Sequence, residues 1–208
     1  MTRKLIAGYR RFRSGYFQRN RKRLEELALK QAPKVAMVCC CDARVDPTIL
    51  FDVEPGEIFV IRNVANLVPP FETEGHYHGT SAALEFAVTG LKVKQIVVLG
   101  HANCGGIQVL MENDASVKSY GFVDSWMRIA APAREEVLTR SDLDTPELRA
   151  VACEKAAVQH SLRNLMSYPW VRSQVRNGDL NLIAWYYDLR SGEIAHLEEI
   201  DSSTLSTA

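Results

Sequence analysis

The chain has no excess of charge of either sign: 25 Lys and Arg residues face 25 Asp and Glu residues, and the pI is near 7.0. Such a balance gives no global pull toward nucleic acid or an anionic membrane. Long apolar runs are missing too. Nothing approaches the ~18 consecutive apolar residues of a spanning helix, so no membrane partner is expected. The Arg-rich start lacks the apolar core and small-residue cleavage site of a secretory signal. Cysteine is scarce and badly placed for disulfides, with three of the five adjacent (Cys39, Cys40, Cys41) and no Cys-x-x-Cys anywhere. Such thiols suit reduced side chains or metal ligands in a cytoplasmic compartment. What is there, 47% hydrophobic and 24% charged residues over 208 positions, is the composition of one ordinary globular domain.

Residues 3–30 carry Leu5, Ile6, Tyr9, Phe12, Tyr16, Phe17, Leu24, Leu27 and Leu29 at helical spacing among many arginines. They read as a helical arm over 1–30, continuous or broken near Gly15, on a single domain spanning 1–208. The basic run Arg10 to Arg23 reads as a solvated face or an arm on a partner subunit, because the rest of the chain is not basic. From Lys34 the pattern changes. Buried strands are expected at 35–41, 59–63 and 95–101, with a helix over 80–92 capped by Thr80 or Ser81. Residues 146–168 form the clearest long helix, opened by Pro146 and stopped at Pro169. A strand at 180–189, a turn and a last strand at 194–200 follow. Short apolar strands alternating with helices predict an α/β fold: a mostly parallel central sheet flanked by helices, with a C-terminal edge strand.

Two polar clusters follow buried strands: Cys40-Cys41-Asp42-Ala43-Arg44, and His101-Ala102-Asn103-Cys104-Gly105-Gly106. The carboxyl ends of strands are where open parallel sheets bind ligands. Two cysteines and a histidine are a donor set that zinc takes in catalytic sites. His-x-x-Cys alone arises by chance, and a lone buried cysteine is usually inert packing. Its pairing with a cysteine at another strand end carries the weight. Side chains alternate along a strand, so Cys40, Asp42 and Arg44 share one face, while Cys39 and Cys41 point away as apolar fillers. The expected ligands are therefore Cys40, His101 and Cys104.

These motifs resemble the signature of β-class carbonic anhydrases, Cys-x-Asp-Ser-Arg followed further on by His-x-x-Cys. The likeness continues through residues 54–70, 79–88, 94–106 and 185–194, and Gln31 with its neighbours is similar to the plant-type branch. The resemblance implies one Zn²⁺ per chain and reversible hydration of carbon dioxide to bicarbonate. It also implies an apolar pocket of Phe59, Val64 and Phe86, with the Gln31 amide on a substrate oxygen. In the family these residues come from a neighbouring subunit, which implies a homodimer or a dimer of dimers. Two positions depart from the pattern: Ala43 replaces the usual Ser, and Phe86 stands where a Tyr would bring a hydroxyl.

Two thiolates cancel the formal charge of the zinc, so its water should be less acidic than on a three-histidine site. Asp42 is expected to orient the resulting hydroxide, and Arg44 to keep that carboxylate from becoming a fourth ligand. A backbone N–H at Gly105, opening a helix, could receive a bicarbonate oxygen. His76 and His78 are the candidate proton carriers. The competing readings are a hydrolase of a related heterocumulene such as carbon disulfide, a non-catalytic zinc protein closed by Asp42, and a thiol redox protein. In one branch of the family, bicarbonate in a second pocket favours that closed state. The pocket's Trp and Gly correspond here to Met37 and Cys39, although Tyr187 is kept, so an open site with Asp42 on Arg44 is expected.

Overall fold

The computed structural model describes residues 1–75, 78–112 and 121–206, and contacts divide the chain into units of residues 1–32 and 33–208. The first unit is helical, with α1 (Thr2–Ser14), α2 (Tyr16–Arg19) and α3 (Arg21–Leu29). The break at Gly15 is the expected one. A second falls at Asn20, whose Nδ2 turns back to donate to the Tyr16 carbonyl at 3.0 Å. No residue of α1 is buried, and Leu5, Ile6, Tyr9 and Phe12 are exposed.

The second unit is built on β1 (Val35–Cys40), β2 (Ile58–Asn63), β3 (Gln95–His101), β4 (Asn181–Tyr187) and β5 (Ile194–Ile200). They form one sheet in the order β2-β1-β3-β4-β5, parallel except for β5, which runs antiparallel on the edge. This is the mostly parallel sheet that the apolar runs predicted. The helices of this unit are α4 (Pro47–Leu50), α5 (Gly79–Glu85), α6 (Gly105–Glu112), α7 (Phe122–Met127), α8 (Ala131–Leu138), α9 (Pro146–Leu165) and α10 (Pro169–Arg176). Ala36 and Val38 of β1 join Ile96, Val98, Leu182 and Ala184 against Val158, Leu162 and Leu165 of α9. Their alternates Met37, Cys39, Val97, Leu99 and Ile183 form the opposite face with Val45 and, at its margin, Leu50 and Phe51. Both faces of the central strands are thus covered, which is why they read as continuous apolar runs.

Thr145 caps α9, its hydroxyl accepting from the Leu148 N–H at 3.2 Å, and Pro146 occupies the first turn as expected. The helix ends at Leu165, and the N–H groups of Met166, Ser167 and Tyr168 close a tighter last turn onto the carbonyls of Arg163, Asn164 and Leu165. Gly100 lets this helix approach β3, since a Cβ there would collide with the Val158 side chain. The helix after residue 78 corrects the expected cap. It begins at Gly79, and neither Thr80 nor Ser81 caps it. The Thr80 hydroxyl accepts from Asn63 Nδ2, and the Ser81 hydroxyl bonds Tyr168 Oη at 2.8 Å. Those tertiary partners took the hydroxyls that a local rule would have spent on the helix end. α5 then runs into a single π turn over Phe86–Gly90.

β1 has its chain successor β2 on one side and β3 on the other. The carboxyl ends of β1 and β3 therefore flank the point where strand order reverses, and connections leaving in opposite directions open a crevice there. Cys40 and His101 are the last residues of those two strands.

Candidate metal centre

Cys40 packs with Cys104, Ala65, Leu67 and Met127, on the face opposite Cys39. After β3, Asn103 adopts a left-handed conformation (φ 56°) that turns the chain, and α6 begins directly after Cys104. One ligand atom each from Cys40, His101 and Cys104 lies within 4.8 Å of the others, and all three residues are buried. The ring of His101 decides what this cluster is for. Its Nδ1 lies 2.9 Å from the Ala102 carbonyl, so Nδ1 carries the proton and donates it, leaving the lone pair on Nε2. That Nε2 is buried and has no hydrogen-bond partner. An orphaned acceptor in the interior is costly unless a cation sits against it.

Cys40 Sγ accepts the Ala65 N–H at 3.3 Å. Delivering that donor requires two consecutive left-handed non-glycine residues, Ala65 (φ 61°) and Asn66 (φ 50°), a strained arrangement of the kind found at functional sites. Asn63 staples the turn, donating to the Leu67 carbonyl at 2.8 Å and accepting its N–H at 2.9 Å. Gly106 meets the same turn, where a Cβ would come within 2.9 Å of Val64 Cγ1 and 3.0 Å of Ala65 Cβ. Gly105 faces open space.

β1 ends at Cys40, so strand alternation does not carry Asp42 and Arg44 to the site. A turn does. Arg44 donates its backbone N–H and Nε to Asp42 Oδ1, each at 2.9 Å, and Nη2 to Oδ2 at 2.6 Å. Nη2 also reaches the Asn103 carbonyl at 2.9 Å, tying together the two strand-end loops. Asp42 Oδ2 lies 4.0 Å from His101 Nε2. The Arg44 guanidinium holds the Asp42 carboxyl well below the usual carboxylate range. The Cys40 thiol is lowered as well, chiefly by a hydrogen bond from the Cys104 thiol, against the opposing effect of burial. Cys104 is pushed up by the same sharing. Burial pulls the His101 pKa down, but contacts with Cys40 and the Ala102 carbonyl outweigh it and the net shift is upward. Cys39 is the inert filler expected, its thiol pushed up to about 12 by burial. Cys41 is not a filler: it lies past the strand end and is exposed.

Sequence reasoning missed Glu154. This carboxylate of α9 is 4% exposed and accepts the Cys104 N–H at 2.9 Å and the Tyr186 hydroxyl at 2.7 Å. Burial raises its pKa. The signal was present, because Glu154 interrupts the buried stripe of α9 formed by Ala157, Val158, Ser161 and Leu165. Ala65 and Asn103 were also missed. The expected pocket residues divide: Val64 packs against the buried cluster that contains Cys40 and Cys104, whereas Phe59 packs against the cluster of Ala36, Val38 and Ile96 and pairs with Phe86 at 6.0 Å. Phe86 is about half exposed, and Gln31, in the first unit, is exposed. His78 Nε2 lies 3.0 Å from the Glu74 carbonyl, and His76 falls outside the described residues.

A carbonic anhydrase family model matches residues 35–194. β-Carbonic anhydrase 5 of Arabidopsis thaliana is 40% identical over 164 residues, 79% of this chain and 54% of that protein. The chain belongs to the β-class carbonic anhydrases. A carbonic anhydrase of Synechocystis sp. is 35% identical over 192 residues, covering 92% of this chain and 69% of the relative. The β-carbonic anhydrase CcaA superposes with a TM-score of 0.89 at 31% identity, covering 96% of this chain and 91% of the other. One of two tetrameric β-carbonic anhydrases of Sordaria macrospora superposes with a TM-score of 0.81 at 26% identity, over 94% and 96% of the two chains.

Proposed function

We propose that this chain interconverts carbon dioxide and bicarbonate using one zinc ion held by Cys40, His101 and Cys104. The observation that carries this reading is the buried, partnerless Nε2 of His101 within 4.8 Å of two thiols. Two sulfurs and one imidazole suit zinc and leave a coordination position open. When bound, zinc supplies a water whose pKa is lowered toward neutrality. Asp42, kept ionised by Arg44, then acts as a hydrogen-bond acceptor of fixed direction beside the donor set. Arg44 also opposes the closed, non-catalytic alternative, because two guanidinium hydrogen bonds and one from its backbone N–H hold the Asp42 carboxylate away from the metal. Val64 packs against the buried cluster that contains the two cysteines and offers an apolar side chain there, as a nonpolar substrate requires. Carbon dioxide hydration should rise with pH as a single-proton titration. Asp42 is already ionised well below neutrality and adds no second limb there. Met37 and Cys39 stand buried where the regulated branch has its Trp and Gly, in a cluster that Tyr187 packs against, so the aromatic wall that would hold a regulatory bicarbonate is missing. Stopped-flow hydration rates on zinc-loaded protein test this, and a slope steeper than one proton would refute it.

We propose further that the working form is a homodimer or a dimer of dimers. The exposed stripe on α1 and the half-exposed ring of Phe86 support it. Tetramers are described for the Sordaria macrospora enzymes. Sedimentation under assay conditions should find no active monomer; a fully active one refutes the assembly.

A further inference from the structure

The donor that reaches Cys40 Sγ is the Ala65 N–H, and the carbonyl of the same peptide group is held as well. Trp126, on α7, donates Nε1–H to the Val64 carbonyl at 2.8 Å. This peptide is trans, so its C=O and N–H point in opposite directions. One rigid plane therefore accepts a hydrogen bond from the indole at one edge and delivers one to the sulfur, at 3.3 Å, from the other. Hydrogen bonds linked in such a chain polarise one another, so the indole strengthens the N–H that faces Cys40.

The backbone resists this orientation. Ala65 has φ 61° and ψ 24°, a left-handed conformation that an alanine enters only at a cost. Turning the Val64–Ala65 peptide over would carry φ of Ala65 back into the ordinary negative range. It would also aim the carbonyl oxygen, an acceptor, at the sulfur that has to serve as a thiolate. The Asn63 staple does not prevent this, because it grips Leu67 at the far end of the turn. Trp126 opposes it directly. Its N–H would lose the Val64 carbonyl, and its ring is half-buried against the cluster that contains Cys40.

We infer that Trp126 is a positioning residue for the metal ligand Cys40, acting through the Val64–Ala65 peptide. It keeps an N–H on the sulfur where the relaxed backbone would present an oxygen, and so tunes how much charge the thiolate gives to the metal.

The inference rests on the zinc site proposed above, and the test separates the two. Cobalt(II) is loaded into wild type, Trp126→Phe, Ala65→Gly and the Trp126→Phe/Ala65→Gly double variant. The thiolate-to-cobalt charge-transfer band is recorded, and affinity is measured by competition with a chelator. Phe keeps an aromatic ring and removes the donor. Trp126→Phe should move the band to longer wavelength and weaken cobalt binding about 10-fold, because the sulfur now faces an acceptor. Glycine takes up a left-handed conformation without penalty, so nothing drives the peptide over in the double variant. Its band and affinity should match those of its Ala65→Gly parent. A merely structural role for the indole would lower the melting temperature and leave the band unmoved. An unmoved band in Trp126→Phe overturns the inference. So does a double variant displaced from Ala65→Gly as far as Trp126→Phe is from wild type. If Trp126→Phe fails to fold, a tryptophan analogue with sulfur in place of the ring N–H, incorporated at position 126, decides it, and an unmoved band there is the overturning result. A wild-type chain that takes up no metal sinks the zinc reading and this inference with it, whereas metal uptake indifferent to Trp126 removes the inference alone.

Discussion

Replacing Cys40 by Ser or His101 by Ala should empty the chain of zinc and reduce carbon dioxide hydration to the rate of protein-free buffer. Purified wild-type protein should carry about one zinc per chain, and each variant close to none. Cys40→Ser exchanges a soft thiolate, already favoured by the amide of Ala65 and by Cys104, for a hydroxyl that does not ionise near neutrality. His101→Ala removes the buried Nε2 acceptor, which has no hydrogen-bond partner. It also leaves only two of the three protein ligands, two thiols that share a proton, which is too few to retain the metal. Both variants should keep the fold, because the strands that carry these residues are held by ladders on either side. Far-UV circular dichroism alongside elemental analysis separates loss of metal from loss of structure. Full zinc occupancy in both variants would refute the ligand assignment. The wild type should lose its metal in acid as well, since thiolate and imidazole must be deprotonated to bind.

Asp42→Asn should do the opposite with respect to metal: zinc stays, and the hydration rate falls on the order of 10²- to 10⁴-fold. The amide is nearly the same shape, but it carries no charge for the Arg44 fork and presents one acceptor oxygen where the carboxylate presents two. Arg44→Ala should cost a similar factor through a different route, freeing an intact carboxylate to leave its orientation. A wild-type rate in Asp42→Asn would remove that residue from the mechanism. The same pair predicts a pH effect on stability. Arg44 depresses the folded-state pKa of Asp42, so the pair stabilises the fold above the ordinary aspartate pKa of about 3.9. That contribution disappears as pH falls through the depressed value. The wild type should therefore lose stability on acidification below about pH 4 by more than Asp42→Asn does. Chemical denaturation of the metal-free forms at a series of acidic pH values measures the difference.

The apolar runs of β1, β3 and β4 were legible because strands buried on both faces must be apolar throughout. The helix α9 was legible from its proline start and its periodicity. Alternation along β1 separated Cys40 from Cys39, and the two lie in different clusters on opposite faces. The donor set could be read from the chain because its members sit at strand ends, where local patterns are strongest. Alternation failed one residue further on, since it holds only while the chain is a strand. Cys41 is exposed instead of filling the core, and Asp42 faces Arg44 because of a turn.

What only the tertiary structure decided is the set of contacts between residues far apart in the chain. The Ala65 N–H on Cys40, Glu154 on the Cys104 N–H, and Trp126 on the Val64 carbonyl join positions 25, 50 and 62 residues apart. A left-handed alanine leaves no mark in composition or periodicity, and a buried glutamate shows only as a gap in an apolar stripe. Thr80 and Ser81 carried a clear local signal for a helix cap, and distant partners overrode it. Periodicity reports which face of an element avoids water, so it located the sheet and its chemical end. Hydrogen-bond direction depends on where the folded chain places its donors, so the orientation of the site's groups was fixed only once the strands had assembled.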